Sequence, residues 1–520
     1  MDERSLKSLL RPDAYPEDTK NVRLVQTHVS FIFITDNFAY KIKKPVDFGF
    51  LNFTTIDRRR FYCSEEVRLN RRLCPDIYLG VVELREAASG VSFCGEGKII
   101  DYAVRMKRLP EERMLDRMLS EGKVTELEIR RIARTIAGFH LDAERGEAIN
   151  DYGRVAAIHN NWEENFQQIE KFTGISIQAT DLSIIRGYIE NFIKENEALF
   201  AQRLENGFIR DCDGDIHMEN ICLTDPVCIF DCIEFNNRFR YTDTAADIAF
   251  FLMDLDFHGK REFAKPFLEE YCTVTGDSGL LPVLDFYMIY RAFVRGKVES
   301  LKMAEAEVPD EERIIAAEKA GRYFRLARGY ILRKRMPPTM IITCGVMGSG
   351  KSTAAQALAF ELGMDILSSD ALRKKMSNTT QGKRGLDEYG KGIYSPSFDE
   401  AVYRGLLIMS EESLKSGRNV IVDATFRRRS DRHTFAGLAT KSGVSFFIVH
   451  TYCPDSLAKE RLIARAMEPS AVSDGRWEIY QPQKDEFEPP GNGEGKLIPV
   501  DTSLPVADNV NMILRVMEIL

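Results

Sequence analysis

The sequence has no long apolar run and no closely paired cysteines. No stretch approaches the roughly 18 apolar residues of a transmembrane helix, so we expect no membrane partner. The first residues, MDERSLKSLLRPDAYPED, lack the apolar core of a signal peptide, and we expect no secretory leader. Ten cysteines are scattered without a CxxC pair, the closest two being Cys228 and Cys232. This pattern predicts reduced, partly buried thiols and a cytoplasmic protein.

The sequence also lacks a basic excess and internal repeats. The formal net charge is −8, and 44% of the residues are hydrophobic and 29% charged. This composition is typical of a globular protein and argues against a broad nucleic-acid-binding surface. At roughly 150 residues per domain, a chain of this length predicts roughly two to four domains.

The clearest predicted domain boundary is the segment RKRMPPTM, where a basic helix end meets two prolines and an apolar strand follows. We place it near residue 336, which gives domains at 1–335 and 336–520. Before it, residues 20–110 are mostly strand-like, with HVSFIFITD and FAYKIKKPV as a hairpin, and later residues are mostly helical. After it, strands alternate with helices. The expected fold class is therefore α+β before the boundary and α/β, with a doubly wound parallel sheet, after it.

The segment GVMGSGKS, residues 345–352, matches the phosphate-binding pattern GxxxxGK[ST]. It follows the strand MIITC and precedes a helical segment, as the pattern requires. We expect Lys351 to reach the β- and γ-phosphates of ATP and the Ser352 hydroxyl to bind Mg²⁺. The alternative, a glycine-rich turn with a chance lysine, does not account for the flanking strand and helix. The predicted nucleotide-contacting residues are Gly345, Gly348, Ser349, Gly350, Lys351, Ser352 and Thr353.

Two carboxylates follow strands of the predicted parallel sheet: Asp370 after DILSS and Asp423 after NVIV. Carboxyl ends of parallel strands face the ligand crevice, so Asp423 suits a Mg²⁺ ligand and Asp370 a catalytic base. Arg373, three residues after Asp370, is a candidate for binding the acceptor. For Asp370 the alternative is a helix N-cap, which is compatible with a base.

Three further arginines lie between the fourth and fifth predicted strands, at Arg461, Arg465 and Arg476. Arginines that close over a transferring phosphoryl group stabilise its charge. For each of them, an exposed position on a helix surface is an equal alternative.

The segments GVMGSGKST, SSDALR and VIVDATF resemble small P-loop kinases, especially the polynucleotide-kinase and zeta-toxin-like group. The resemblance covers about 336–520. It implies ATP-dependent phosphorylation of a hydroxyl, with Asp370 as the base and Arg373 as the acceptor-binding residue. It leaves the acceptor open.

The segment DGDIHMEN, residues 213–220, is unusually rich in charge. From Asp215 to Asn220 the spacing is DxxxxN, which in kinases separates the base from a metal-binding asparagine. The following segments ICL, TDP and VCIF predict a hairpin that ends in Asp231 and returns it beside Asn220. Both side chains then offer oxygen ligands to one Mg²⁺ ion. The alternative is a polar surface loop.

Lys41 lies in the apolar strand FAYKI, where an ammonium group needs an anionic partner. Glu66, in the following helical segment, is the candidate, and together they would form the kinase pair that holds the ATP phosphates. Alternatives remain open: Lys41 in solvent on an edge strand, or a register that uses Lys43 or Glu65 instead.

The segments GDIHMEN, IFDCIEFN and TDTAADIAFFLMDL resemble the aminoglycoside phosphotransferase group, over roughly 20–330. The resemblance implies a bilobal, protein-kinase-like domain with Asp215 as the base and Asn220 and Asp231 as magnesium ligands. It further implies that Asp247 braces the catalytic loop and that His217 is a structural residue of that loop.

The chain departs from this family at two places. Asp213 stands where the family usually has histidine, and the nucleotide-covering segment VQTHVSFIF has no glycine. We expect Asp213 either to raise the pKa of Asp215 or to point into solvent.

Two phosphate-and-magnesium constellations predict a bifunctional enzyme that uses ATP and Mg²⁺ to phosphorylate hydroxyls of small molecules. One alternative is a regulatory protein with an inactive N-terminal half and a P-loop switch. Its difficulty is that Lys41, Asp215, Asn220 and Asp231 are all retained. The other is a nucleic-acid 5′-hydroxyl kinase, against which the acidic balance counts.

Overall fold

The computed structural model describes residues 2–88, 90–305, 308–377, 395–467 and 477–520. It divides into two compact units, Met1–Ala327 and Arg328–Leu520. The division lies inside a long helix, Asp310–Arg335, whereas the sequence predicted a boundary at 336, just after that helix. The helix's last turns belong to the second unit because buried Arg328 bonds there to Glu361, with Nε 2.7 Å from a carboxylate oxygen.

The first unit begins with strands and continues mostly with helices. Its strands are β1 Arg23–Gln26, β2 Ser30–Ile34, β3 Phe38–Lys43, β4 Tyr78–Ala87, β5 Gly90–Ser92, β6 Lys98–Lys107, β7 Ile209–Asp211, β8 Ile221–Cys222, β9 Cys228–Ile229 and β10 Tyr241–Asp243. Its α-helices are α1 Glu3–Leu9, α2 Ile56–Asn70, α3 Leu115–Ser120, α4 Glu126–Asp142, α5 Glu147–Asn150, α6 Val155–Ile169, α7 Ala179–Glu195, α8 Glu197–Glu205, α9 Asn237–Arg240, α10 Thr244–Phe257, α11 Ala264–Thr275 and α12 Leu280–Met303, followed by α13, Asp310–Arg335.

The second unit alternates strands and helices. Its strands are β11 Thr339–Cys344, β12 Asp365–Ser368, β13 Val420–Asp423, β14 Ser445–Tyr452 and β15 Lys496–Asp501. Its further α-helices are α14 Lys351–Leu362, α15 Ser369–Met376, α16 Pro396–Lys415, α17 Arg429–Ser442, α18 Asp455–Met467, α19 Tyr480–Asp485 and α20 Val506–Val516. Among the described residues, no helix combines the length and the apolar character needed to span a bilayer.

The first unit contains an antiparallel sheet in the order β1-β2-β3-β6-β4-β5. The predicted hairpin is β2 and β3, with Ile34 opposite Ala39. Strand β3 lies inside the sheet, and its side chains alternate between two covered faces. On one face Tyr40 packs into a cluster of buried apolar side chains, and on the other Lys41 and Lys43 face α2. The edge-strand alternative for Lys41 is therefore wrong.

A disulfide joins Cys74 to Cys228, which corrects the expectation that all cysteines are reduced. Cys74 follows α2, and Cys228 lies in β9, three residues before Asp231. The pair was not visible in the sequence because 154 residues separate its members. The other eight cysteines are free thiols. The cysteine pattern therefore no longer supports a reducing compartment by itself.

The second unit is built on a parallel sheet in the order β12-β13-β11-β14-β15, which confirms the α/β prediction for this part of the chain. Every residue of β11 is buried because helices cover both faces. Ile341 packs with Leu358 and Ile513 on one side, and Ile342 packs with Leu406 on the other. Two apolar layers thus fix the carboxyl end of β11, where the glycine-rich loop begins.

Candidate functional site

The glycine-rich loop connects β11 to α14, and two of its glycines have no substitute. Gly345 has φ +146°, and an added Cβ would lie 2.5 Å from the carbonyl oxygen of Thr451. Gly350 has φ +88°, and its Cβ would lie 2.9 Å from the Thr502 side chain. Side-chain-bearing residues rarely adopt such backbone angles and would clash here. The loop conformation before α14 therefore depends on glycine at both positions.

The carboxylate of Asp423 connects a hydroxyl group near the end of β11 with one in the first turn of α14. Ser352 Oγ donates to Asp423 Oδ2 at 2.7 Å, and Thr343 Oγ1 donates to Asp423 Oδ1 at 2.9 Å. Asp423 ends β13, which pairs in parallel with β11, and so it reaches the loop from the neighbouring strand. Hydroxyl and carboxylate oxygens are the hard ligands that Mg²⁺ prefers, so Ser352 and Asp423 fit this ion.

Lys351 is partly buried at the same edge and donates to the carbonyl oxygen of Val346 at 2.9 Å. Burial lowers the pKa of Lys351, against the opposing influence of Asp423 and Asp370. Those two carboxylates therefore lie close enough to act on the ammonium group. A lysine held in this way gains from a further anionic partner, such as a phosphate group.

The predicted acceptor residues of the second unit have defined partners. Asp370 lies in the first turn of α15, but the N-cap is Ser368, which accepts from Ala371 N at 3.4 Å. The N-cap alternative for Asp370 is therefore wrong. Arg373 is buried and donates to Asp399 at 2.7 Å, so an acceptor would have to compete with that carboxylate.

Of the other residues predicted to contact the nucleotide in this unit, some support the glycine-rich loop and others are exposed. Arg461 donates to Thr502 Oγ1 at 2.8 Å and to the Gly348 carbonyl at 3.4 Å, so it supports the loop instead of lying free above it. Ser349 is buried, with Oγ 2.7 Å from Thr451 Oγ1, and Thr353 is exposed on α14. Arg465 is near enough to lower the pKa of Lys351. Arg476 lies outside the described residues.

In the first unit, two lysines of β3 meet one glutamate of α2. Glu66 lies 2.9 Å from Lys41 Nζ and 2.6 Å from Lys43 Nζ, and all three side chains are buried. Burial alone would raise the pKa of Glu66, but the two ammonium groups hold it below its ordinary value. Both lysines left open by the sequence thus take part. Glu65 does not, because it pairs with Arg68 at 2.8 Å.

Each lysine has a second carboxylate partner from the segment after β9. Lys41 also pairs with Asp231, and Lys43 also pairs with Glu234. Glu234 was missed at the level of sequence, although it is buried and belongs to the cluster. Glu234 could have been predicted from the charges, because two lysines in one apolar strand require more anionic partners than a single glutamate.

The predicted base and metal ligands come together at the β8–β9 hairpin. Asn220 Nδ2 donates to Asp215 Oδ2 at 3.3 Å, and Phe230 N donates to the Asn220 carbonyl at 3.0 Å. That backbone bond places Asp231 next to Asn220. Asp231 has φ +68°, a left-handed conformation that is uncommon for residues other than glycine and that aspartate tolerates better than most. Asn220 and Asp231 therefore fit an oxygen-coordinated Mg²⁺ ion.

The pKa of Asp215 lies below its ordinary value. Burial alone would raise the pKa of Asp215, but the charges of His217 and Arg295 outweigh burial and lower it. His217 Nε2 lies 3.6 Å from Asp215 Oδ2, and its ring packs on Phe250. The expectation that Asp213 raises the pKa of Asp215 is wrong, because these cations face Asp215 instead.

Asp213 is buried, not pointed at solvent, and burial together with the charge of Asp247 raises the pKa of Asp213 to about 8. Asp247 accepts hydrogen bonds from the backbone N–H groups of Asp213 at 3.0 Å and Gly214 at 2.8 Å. His140 Nε2 lies 3.1 Å from Asp247. Asp247 thus holds the loop through its backbone, and a pKa of about 8 favours the neutral form of Asp213 at pH 7.

Asp213→Asn should make the first unit more stable at alkaline pH. A carboxyl group with a pKa of about 8 in the folded state and about 3.9 unfolded costs stability as pH rises between these values. Asparagine matches the neutral form and removes that cost. We expect the variant to gain at least about 1.4 kcal/mol over wild type between pH 5 and 8, the value of one pKa unit. Urea unfolding at both pH values measures it.

The control for this comparison is Asp116→Asn, an exposed position on α3. It should leave the pH dependence of stability as in wild type. Parallel stability curves for Asp213→Asn and wild type would show that Asp213 carries its charge in the folded protein.

The fold and the loop geometry together define the second unit as a P-loop domain. Residues 340–490 match the model of the AAA domain family. Along more of the chain, uncharacterized proteins from Mycobacterium bovis and Mycobacterium tuberculosis are 29% identical over 458 residues, which is 87% of this chain and 88% of theirs.

Similar solved structures each cover about a third of the chain. A putative kinase from Chloroflexus aurantiacus is 23% identical over 35% of this chain and 98% of its own, with a TM-score of 0.29. A gluconokinase from Sinorhizobium meliloti is 26% identical over 35% of this chain and 94% of its own, with a TM-score of 0.24. The APS kinase of Mycobacterium tuberculosis is 16% identical over 35% of this chain and 99% of its own, with a TM-score of 0.27.

Proposed function

We propose that this protein is an ATP- and Mg²⁺-dependent phosphotransferase with two kinase-type sites that phosphorylate hydroxyl groups of small molecules. One observation supports it in both units: a lysine stands beside oxygen ligands suited to Mg²⁺. In the second unit Lys351 lies near the Ser352–Asp423 pair, and in the first unit Lys41 contacts both Glu66 and Asp231.

In the second unit, the glycine-rich loop and Lys351 bind the ATP phosphates. Ser352 and Asp423 hold Mg²⁺, which neutralises charge on the phosphates. Asp370 accepts the proton of the attacking hydroxyl, and Arg373 contacts the acceptor by exchanging Asp399 for it.

In the first unit, which we take to be a bilobal kinase-like domain, Asp215 accepts the proton of the acceptor hydroxyl. Asn220 and Asp231 hold Mg²⁺. Lys41, fixed by Glu66, binds the ATP phosphates. Lys41 and Asp231 contact one another, so with ATP and Mg²⁺ bound the lysine would pair with phosphate and the carboxylate would serve the metal.

Two variants, each aimed at one unit, test this proposal. ATP turnover over a library of hydroxylated metabolites is compared for wild type, Asp215→Ala, Lys351→Ala and the double variant. Each single variant should lose a different set of acceptors by about 100-fold or more, and the double variant should retain only basal hydrolysis. EDTA should abolish both activities.

The outcomes separate the alternatives. If Lys351→Ala alone loses activity, the first unit binds ligand without turnover. If wild type shows only basal ATP hydrolysis with every acceptor, the two-site proposal fails. Labelling of DNA with a 5′-hydroxyl would point instead to a nucleic-acid acceptor.

A further inference from the structure

Helix α12 brings two arginines to the loop that carries Asp215. Arg291 and Arg295 lie one turn apart and so share a face of the helix. Arg291 is buried and donates to the carbonyl oxygens of Gly214 and Ala246, each at 2.9 Å. Arg291 therefore holds the loop in place. Arg295, one turn further along, is not needed for those backbone contacts.

Arg295 is partly buried, and its contacts are with an aromatic residue. Its Nε donates to the Tyr323 hydroxyl at 3.4 Å, and its guanidinium lies 5.6 Å from the centre of the Tyr323 ring. Among the described residues, no aspartate or glutamate reaches it at ion-pairing distance. Elsewhere in this unit buried arginines do have such partners: Arg203, for example, bonds to Asp243 and Asp277. The remaining N–H groups of Arg295 are thus available to a ligand.

Arg295 lies on the helix face that contacts the Asp215 loop, since Arg291, one turn before it, bonds to the Gly214 carbonyl oxygen. Burial lowers the pKa of Arg295, but Tyr323, Asp215 and Asp254 together raise it above its ordinary value. The ATP phosphates already have Lys41 as their proposed partner. Since Asp215 is the proposed partner of the acceptor hydroxyl, a cation beside it faces the acceptor.

We propose that Arg295 binds an oxyanion of the acceptor, so that the first unit phosphorylates hydroxylated acids or phosphorylated polyols instead of neutral sugars or cationic aminoglycosides. This inference rests on the proposed kinase function of that unit. A guanidinium group matches carboxylate and phosphate with two parallel hydrogen bonds, and the match both binds and orients the acceptor. Cationic acceptors would bind more weakly, because Arg295 repels their positive charge.

The test compares acceptors of matched shape and different charge in the full-length Lys351→Ala protein, which lacks the P-loop activity. Glycerate, glycerol 3-phosphate and larger sugar acids and sugar phosphates are paired with their uncharged counterparts, and kanamycin represents the aminoglycosides. ADP release that disappears in Lys351→Ala/Asp215→Ala is assigned to the first unit. We expect KM to be at least tenfold lower for the anionic member of each active pair. Comparing the sugar acids with the sugar phosphates identifies whether carboxylate or phosphate is preferred.

Three results would overturn this inference in distinguishable ways. Asp215-dependent turnover with equal or better KM for uncharged acceptors rejects the oxyanion but keeps the kinase. The same holds if kanamycin is the best acceptor. No Asp215-dependent turnover with any compound rejects the proposed function itself, and this inference with it.

Variants then assign the effect to Arg295. Arg295→Gln should raise KM for the anionic acceptor at least tenfold, with KM for ATP unchanged, and Arg295→Lys should recover part of the loss. The control is Arg154→Gln, an exposed arginine paired with Asp151 at 2.8 Å, which should change neither constant. A raised KM for ATP in Arg295→Gln would place this arginine on the nucleotide and overturn the inference. If Arg295→Gln does not fold, the matched acceptor pairs decide.

Discussion

Glu66→Ala should destabilise the first unit by about 3 kcal/mol, toward the lower end of the range for breaking a buried ion pair. Glu66 is completely buried and forms ion pairs with two buried lysines, so its removal leaves both ammonium groups with one partner fewer. Lys41 keeps Asp231, and Lys43 keeps Glu234, which limits the loss. Denaturant unfolding of the full-length variant measures the change.

The neighbouring residue supplies the control. Glu65→Ala removes a partly exposed pair with Arg68, which should cost about 0–1 kcal/mol. Turnover by the first unit should fall with Glu66→Ala and not with Glu65→Ala, because only Glu66 fixes the lysine proposed to bind phosphate. If the two changes affected turnover equally, the pairing of Glu66 with Lys41 and Lys43 would not be needed by that site.

The features that sequence predicted well are local. Residues 340–342 are apolar, as expected for a strand buried on both faces, and the alternation of strands with helices after residue 336 predicts a parallel sheet. The glycine spacing of the loop follows from one strand-to-helix turn. In the same way, the period of two along β3 separates Lys41 from Tyr40, so a lysine facing α2 was predictable.

The features that sequence missed join distant parts of the chain. Cys74 and Cys228 are 154 residues apart, Lys43 and Glu234 are 191 apart, and no local pattern links either pair. The protonation of Asp213 depends on burial beside Asp247, which only the folded chain creates. Arg295 was passed over because a single arginine in an amphipathic helix usually lies in solvent.

Asp423→Asn should reduce turnover by the second unit about 100-fold and raise the Mg²⁺ concentration needed for half-maximal rate. The change keeps the shape of the side chain but removes the negative charge proposed to hold the metal. Stability should change little, because the amide accepts one of the two hydroxyl hydrogen bonds from Thr343 and Ser352 and donates to the other oxygen. ADP release in the Asp215→Ala background, titrated with Mg²⁺, measures both effects.

Asp365→Asn is the matched control, since Asp365 begins the neighbouring strand β12 and pairs at the surface with Arg418 at 2.6 Å. It lies at the amino end of the parallel sheet, and Asp423 lies at the carboxyl end, where the loop is. Turnover and Mg²⁺ dependence should therefore match wild type in Asp365→Asn. If Asp423→Asn retains wild-type turnover and Mg²⁺ dependence as well, Asp423 organises the two hydroxyls only, and the metal in this unit must have other ligands.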